Sequence, residues 1–491
     1  MLLTTVPLAQ TIPPTKLNAS FQSGVRFRAR PSAALKQFFA QAIGSQRVVY
    51  NAKVMEDRLF AAQRRMEIAS GVPEEDIKTP LDQTYSQFKD KELTPWLSEM
   101  PCQILRNGVV RWMNAKQRQL KGLAKAPTIR NKHNFNSVLI TKELFRFTDI
   151  TDPVTGEIKQ HLVIGTVADV IDILEFDAHI PFGEPNQITI RRTSSKWWLS
   201  FSYTHDAPED YVPRTAEELA YELNRLSEPE LRLATLGIDR NVKDNCVATS
   251  DGRFFDFSDA QKERIARKEK GKIRHQKKFA RQEKGSANSR KTLRRMGAKQ
   301  DYITHVRADF SHQTSHSIVT APANADRAPL LLGIEDLKVK NMVKKPKAKQ
   351  DPVTGKWLKN GRKAKSALTK KILGSCWGSI KTQVQYKAER RNALIVAVAP
   401  HYTSQMCSRC GHTSPDNRHE ERFICQRCHL YAHSDTNAGI NIRALAIAKV
   451  RNNEVKNKVK KSVAFKRKIA GREPSGVPVE SSKTQDKAAQ Q

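Results

Sequence analysis

Residues 25–30 read VRFRAR, where apolar and basic side chains alternate as they do on a strand with one basic face. Pro31 and Ser32 then open a helix over residues 33–43. Amphipathic helical spacing continues over 48–68 and again over 85–119, where LTPWLSEMP interrupts it. From 135 to 203 the period shortens to two in SVLITKELFRF, HLVIGTV, QITIRRT and WWLSFSY, each of which reads as a strand. The acid-rich segment 207–230 reads as a linker that holds a short helix.

A second unit starts at Leu231. LRLATLGIDRNVKDNCVATSDGRFFDF predicts a strand, a turn and a returning strand, with Asp251-Gly252 as the hairpin signal. Residues 261–300 predict a long solvated basic helix or a helical pair, and 303–319 a second helix with apolar residues at helical spacing. APLLLGIEDL and NALIVAVAP are short and apolar enough to be buried strands. Between them, 338–371 predicts a basic loop followed by a helix. A helix from 436 to about 449 closes the pattern.

Charge narrows the partners. The 491 residues hold 85 Lys and Arg against 50 Asp and Glu, a net +35, which is the electrostatic footprint of a polyanion binder. Charge alone does not separate DNA from RNA. No run of eighteen apolar residues is present, so no membrane partner is expected. Residues 1–20 read as a disordered leader and 451–491 as a basic, then polar, disordered tail. Of seven cysteines, four form two Cys-x-x-Cys pairs, leaving Cys102, Cys246 and Cys376 as inert thiols. The odd count and the paired spacing argue against a disulfide framework and for a reducing compartment.

Cys407, Cys410, Cys425 and Cys428, with fourteen residues between the pairs, suit a tetrahedral four-thiolate zinc site. A closed site of this kind is structural, so Zn2+ is not the catalyst. His412, His429 and His433 lie close by and read as neighbours of the site, not as ligands.

Three acids carry the chemistry. Asp239 ends LATLGID, Glu335 ends LLLGIE, and Asp435 opens the last helix in HSDTNAGIN. An acid at the end of a buried strand is costly unless it is paired or metal-bound. Two strands of one sheet would place Asp239 and Glu335 side by side, and a helix start would bring Asp435 to them. Converging carboxylates suit two Mg2+ or Mn2+ ions, and two such ions suit phosphodiester cleavage in an RNase H-like nuclease. Each acid taken singly reads as a strand-end cap or an ion pair.

Together these residues resemble the TnpB family of transposon-encoded RNA-guided nucleases and the related miniature type V CRISPR effectors. The stretches that carry the resemblance are RFRARPSAALKQFFAQAIGSQRVVYN, WWLSFSY, LGIDRN, GIEDL and CSRCGH…FICQRC…SDTNAGINI, in the family's order over residues 21–445. One departure is Gly439, where alanine is common; its expected effect is a loss of helix stability.

The resemblance implies an α/β and α+β multidomain chain. It would have an N-terminal β-barrel-like domain with a helical recognition lobe, and a C-terminal RNase H-like (RuvC) nuclease with an inserted four-cysteine zinc ribbon. The expected division is a β-rich wedge-like domain at 21–47 and 121–206, a helical insertion at 48–120, the linker at 207–230, the nuclease at 231–400 and 432–450, and the ribbon at 401–431. The implied activity is Mg2+-dependent cleavage of double-stranded DNA beside a short motif, directed by a guide RNA. Asp239, Glu335 and Asp435 match the family's catalytic carboxylates, and the four cysteines match its ribbon.

Arg26, Arg28 and Arg30 would track phosphates, and Arg264, Arg267 and Arg274 would line the duplex channel. Trp198 would stack on a base or sit at a domain contact. A single chain in the prokaryotic cytoplasm, near the nucleoid, is the expected working unit, favoured over a dimer. The competing readings are a guide-dependent DNA-binding or regulatory protein and a transposition accessory factor, neither of which cleaves.

Overall fold

The computed structural model describes residues 20–455, apart from 78–81, 83, 121, 123, 133–134, 152–157, 195, 209–210, 243–244, 323–326 and 359–360. Residues 1–19 of the expected leader and all but 451–455 of the expected tail lie outside the described residues, and Ser20 instead begins the first strand. Among the described residues no helix is long and apolar enough to cross a membrane.

The N-terminal lobe is a seven-stranded antiparallel sheet carrying two long helices. Its strands are β1 (Ser20–Arg30), β2 (Ser137–Thr141), β3 (Phe145–Thr151), β4 (Ile158–Gly165), β5 (Val170–Asp177), β6 (Gln187–Arg192) and β7 (Trp197–Asp206), in the order β2-β6-β7-β1-β5-β4-β3. β1 is central because Phe27 and Ala29 point into the core while Arg26, Arg28 and Arg30 face outward.

The expected barrel is corrected: the edge strands β2 and β3 do not pair, so the sheet is open. They are consecutive in the chain, and the 3-10 turn Lys142–Leu144 between them redirects the chain instead of laying them side by side. The sheet nevertheless curls tightly. Phe147 of edge strand β3 meets Phe201 of β7, four strands away in sheet order, with ring centroids 5.8 Å apart. Phe27, Phe176 and Phe182 complete this aromatic interior.

Helix α1 (Ala33–Ala69) starts at Ser32, whose hydroxyl accepts from the Leu35 N–H at 3.2 Å. It runs unbroken through position 47, so the expected boundary there falls inside one helix. No Pro interrupts α1, and its buried side, from Leu35 to Val54, lies on the lobe core. LTPWLSEMP does break the next pattern, into a 3-10 turn, the short α2 (Pro95–Ser98) and α3 (Cys102–Leu120), which packs on α1.

The segment 207–230, expected as a linker with a short helix, carries a capped helix, α4 (Ala216–Asn224), and the start of a second, α5 (Glu228–Leu233). Ala220, Leu223 and Leu231 are buried with the strands of the second lobe, which makes these helices part of its core.

The second lobe is built on a five-stranded sheet. β8 (Thr235–Asp239), β9 (Val247–Thr249), β10 (Phe254–Phe255), β11 (Leu331–Glu335) and β12 (Leu394–Val398) lie in the order β10-β9-β8-β11-β12. β8, β11 and β12 are parallel, and β9 and β10 are antiparallel to the strand before them. Such a sheet is covered on both faces, hence the continuous apolar runs in the sequence.

One face carries α7 (Ala287–Val319) and α10 (Trp377–Glu389), the latter unread in the sequence. The other carries α11 (Ser434–Arg451) with α4 and α5. The basic run forms α6 (Asp259–Ala280) and the first half of α7, packed against each other. Between β11 and α10 lie the short α8 (Val339–Met342) and α9 (Arg362–Gly374). A three-stranded ribbon, β13 (Arg418–His419), β14 (Arg422–Ile424) and β15 (Tyr431–His433), leads directly into α11.

Candidate active site and metal cluster

Parallel pairing of β8 and β11 aligns Ile238 with Ile334, so the next residues, Asp239 and Glu335, end neighbouring strands at the same level. α11 crosses β8 and β11 and brings Asp435, in its first turn, to that end. All three acids are buried, Asp435 with 1% exposure. Glycines permit this approach. A Cβ on Gly237 would lie 2.0 Å from the Gly439 carbonyl oxygen, and one on Gly439 would lie 2.9 Å from the Ser250 nitrogen. Gly439 is therefore a packing requirement, which corrects its expected role as a mere weakening of the helix. The glycine in LGID serves the same contact.

The carboxylates are unequally satisfied. Asp435 Oδ2 accepts from Asn241 Nδ2 at 2.7 Å and Asn245 Nδ2 at 3.0 Å, while Oδ1 pairs with Arg418 Nη2 of the ribbon at 2.9 Å. Glu335 Oε1 accepts from the Thr403 hydroxyl at 2.9 Å. The carboxylate of Asp239 receives one hydrogen bond among the described residues, from the Arg240 N–H at 2.9 Å. Burial, and then the charges of Glu335 and Asp435, push Asp239 up to about 7. Burial also raises Glu335, against the opposing effects of the Thr403 hydroxyl and the Arg240 charge. Arg240 is itself buried. Its Nη2 donates to the Glu335 carbonyl, and its Nε has no partner.

The four cysteines of the ribbon converge, with their Sγ atoms all within 4.8 Å of one another. Cys407 and Cys428, and Cys410 and Cys425, stand 3.6 Å apart, far beyond a disulfide bond. Zinc–sulfur bonds of about 2.3 Å in a tetrahedron would place the sulfurs about 3.8 Å apart, so the cluster fits such an ion.

The two knuckles repeat one geometry. Gly411 and His429 donate their N–H to the Cys407 and Cys425 carbonyls, and both have positive φ, 72° and 57°. His429 is thus a turn residue, not a ligand. No other group of three or more His, Cys, Asp or Glu among the described residues brings its ligand atoms that close, the three carboxylates included.

A set of buried asparagines ties the two centres together. Asn437 and Asn441, one turn apart on α11, both donate to the Met406 carbonyl, at 2.8 and 2.7 Å. Asn437 Oδ1 also accepts from the Ser408 N–H, and Asn441 donates to the Thr403 carbonyl. The loop that carries Cys407 is therefore clamped to the helix that carries Asp435, and Thr403 in that loop holds Glu335. The sequence reading missed Asn437, Asn441, Arg240 and Thr403, and took Arg418 for a basic residue of the ribbon free to touch nucleic acid, not for the partner of Asp435. The available signal was the i, i+4 asparagine pair in DTNAGIN, inside an otherwise apolar helix face.

The expected nucleic-acid residues lie apart from this centre. Arg28 is exposed, and Arg30 pairs with Asp177 at 2.6 Å. Arg26 lies over the Trp198 ring, 4.7 Å from its centroid. Trp198 also meets His305 of α7 edge-on, which puts it at the contact between the lobes. Arg264, Arg267 and Arg274 are exposed on α6, the first two beside a cleft shared with Lys299 and Tyr302 of α7.

Residues 377–442 match the family model for the Cas12f1-like TNB domain, a span that takes in α10, β12, the cysteines and the start of α11. Over 265 residues the chain is 29% identical to InsQ of Escherichia coli K12, whose name provisionally describes an RNA-guided DNA endonuclease. That alignment spans 53% of this chain and 57% of InsQ. A protein of Streptomyces pristinaespiralis, given the same provisional description, is 23% identical over 433 residues, 86% of this chain and 89% of its own length.

The resemblance to the TnpB nucleases and miniature type V effectors is borne out. The Cas12f1 endodeoxyribonuclease of Sulfoacidibacillus thermotolerans is 36% identical over 72 residues, 14% of this chain and 17% of that protein. A solved Cas12f1–sgRNA–target DNA complex overlays at a TM-score of 0.44 and 12% identity, covering 86% of this chain and 99% of that one.

Proposed function

We propose that this chain is an RNA-guided DNA endonuclease that cleaves double-stranded target DNA beside a short adjacent motif. The observation that carries the proposal is the buried cluster of Asp239, Glu335 and Asp435 at one sheet end, with Asp239 so poorly compensated that it is pushed up to about 7. Like charges are not held together in a buried site without a proton or a cation, and hard divalent cations prefer oxygen donors. Two Mg2+ or Mn2+ ions would supply an activated water and stabilise the leaving oxygen of a phosphodiester. The three acids would hold them, with Thr403 orienting Glu335, and Asn241 and Asn245 orienting Asp435.

The parallel pair β8 and β11, with an antiparallel neighbour on one side, supports the RNase H-like (RuvC) reading of 231–400 and 432–450. In the ribbon a structural Zn2+ would keep the Cys407 loop in place and so hold Asp435 and Glu335 at the site. The lobe before residue 207 would grip guide RNA and heteroduplex through backbone contacts, which a net charge of +35 favours. Arg28 of that lobe and the α6 arginines of the second lobe are the exposed candidates for phosphate contact. A single chain in the prokaryotic cytoplasm remains the working unit of this reading.

The test is expression with the gene's own flanking sequence, followed by sequencing of the RNA that copurifies. One dominant RNA with a constant scaffold is expected, and with it Mg2+-dependent cleavage of a matching duplex. Asp239→Ala should keep the RNA and the target while losing cleavage. Guided binding by the wild-type protein with no cleavage at any Mg2+ or Mn2+ level would instead support the guide-dependent binding protein.

A further inference from the structure

A cavity of about 590 Å3 lies at the opposite end of β8 from Asp239. Thr235, on its lining, is four residues before Asp239, which is about 13 Å along a strand. Arg443, also on its lining, is eight residues beyond Asp435, which is about 12 Å along a helix. The cavity is therefore separate from the acid cluster, behind it on the same two elements.

Four arginines line it: Arg232 at the end of α5, Arg253 beyond β9, Arg327 before β11, and Arg443. Among the described residues the acids on its lining, Glu228 and Asp251, already pair with Arg451 at 3.7 Å and with Arg253 at 2.8 Å. The side chains of Arg232, Arg327 and Arg443 form no ion pair or hydrogen bond among the described residues. Arg253 uses Nε on Asp251 and Nη1 on the Ser317 carbonyl, which leaves Nη2 buried with no partner. Arg443 is half-buried, and burial together with the nearby charge of Arg232 holds its guanidinium below the usual range. The remaining walls are mostly apolar, formed by Leu233, Leu236 and three prolines, with Thr235 and Ser250 among them.

Concentrated positive charge with an orphaned buried donor calls for an oxyanion. The guanidinium fork matches phosphate in particular, because it donates two parallel hydrogen bonds. The volume lies within the range of about 300–1,000 Å3 that holds small ligands. Apolar walls beside the arginines suit a sugar and a base more than a bare ion. We propose that this cavity takes one nucleotide unit of a nucleic-acid strand, with its phosphate on the arginines and its sugar and base against the leucine and proline walls. The proposal rests on the nucleic-acid reading above but not on catalysis.

The test is fluorescence anisotropy of the full chain with labelled 20-nucleotide RNA and single-stranded DNA over a salt series. Two variants are compared, Arg232→Gln with Arg443→Gln, and Leu233→Asp. Leu233 is 87% exposed, so the second variant adds a charge at the mouth without disturbing the core. Both should bind about tenfold more weakly, and the double variant should flatten the salt slope by about 1–2. Arg443→Lys, which keeps the charge but not the fork, should bind more weakly than the wild type.

Unchanged affinity and slope in both variants, with the wild type binding, would overturn the cavity and leave the nucleic-acid reading standing. Full affinity in Arg443→Lys would also overturn it, because general charge would then suffice. A wild-type protein that binds neither strand would remove the nucleic-acid reading itself, and the cavity proposal with it.

Discussion

The sheet of residues 20–206 and the sheet that begins at Thr235 handle buried polarity in opposite ways. In the first, the interior is a cluster of phenylalanines, and the buried Lys53 and Gln46 nearby are paired, so that among the described residues only neutral groups such as Tyr50 Oη and Trp112 Nε1 are left without a partner. Lys53, 1% exposed, meets both Glu56 and Asp82 at 2.5 Å, and Gln46 bonds both the N–H and the carbonyl of Leu139. In the second, three carboxylates share one sheet end, and Asp239 has a single backbone donor. The first arrangement is what stability alone selects. The second is unfavourable in the free protein, and binding a cation at the site would reverse the sign.

That contrast can be broken in graded steps. The largest effect is expected at the ribbon. If the cysteines hold Zn2+ as proposed, Cys407→Ser, or chelation of that ion, should remove on the order of 10 kcal/mol of apparent ribbon stability. Hydrogen exchange would show residues 403–435 losing protection, while β1 and β7 keep theirs. Next, Phe201→Ala should cost about 3–5 kcal/mol and lower the melting temperature of the first lobe, leaving metal affinity unchanged in calorimetry.

Asp239→Asn tests the opposite sign. Asp239 sits at about 7 in the folded protein against an ordinary value of 3.8, so between those values the folded state holds a proton that the unfolded state has lost. Stability of the metal-free protein should therefore fall as pH rises from about 4 to 7, by up to about 4 kcal/mol. At pH 8, without Mg2+ or Mn2+ but with Zn2+ kept on the cysteines, Asp239→Asn should melt higher than the wild type. A lower melting temperature would mean that the acids are already compensated.

Asn437→Ala should cost about 1–3 kcal/mol, because it strands the Ser408 N–H and weakens the hold on Met406. It should also reduce divalent-metal affinity, since the same loop carries Thr403. The smallest effect is expected for Arg30→Ala. Its pair with Asp177 is solvent-exposed, so chemical denaturation should shift by less than about 1 kcal/mol.

Much of this was legible in the chain. Period-two alternation marked β1, β2, β6 and β7, because a half-buried antiparallel strand must alternate. The acids were legible because Gly-Ile-acid ends two apolar runs, and the cysteines because their spacing admits few alternatives. What was not legible depended on contacts distant in sequence. The segment 207–230 looked like a linker because it is rich in acids, yet its Leu223 is buried with Leu394, Val396 and Val398 of β12, more than a hundred residues later. Gly439 looked like a helix defect because its neighbour, Ser250, is nearly two hundred residues away.

The sequence by itself determined the chemical inventory: a net charge of +35, four thiols at metal spacing, two acids at the ends of apolar segments and a third at the start of a helix. These follow from composition and local period, which need no partner in space. Only the tertiary structure decided that the sheet of the first lobe stays open, that Arg418 pairs with Asp435, and that Asn437 and Asn441 clamp the cysteine loop to the helix of the third acid. Each depends on which distant residues the packing brings within hydrogen-bond or van der Waals reach, and local spacing carries no record of that.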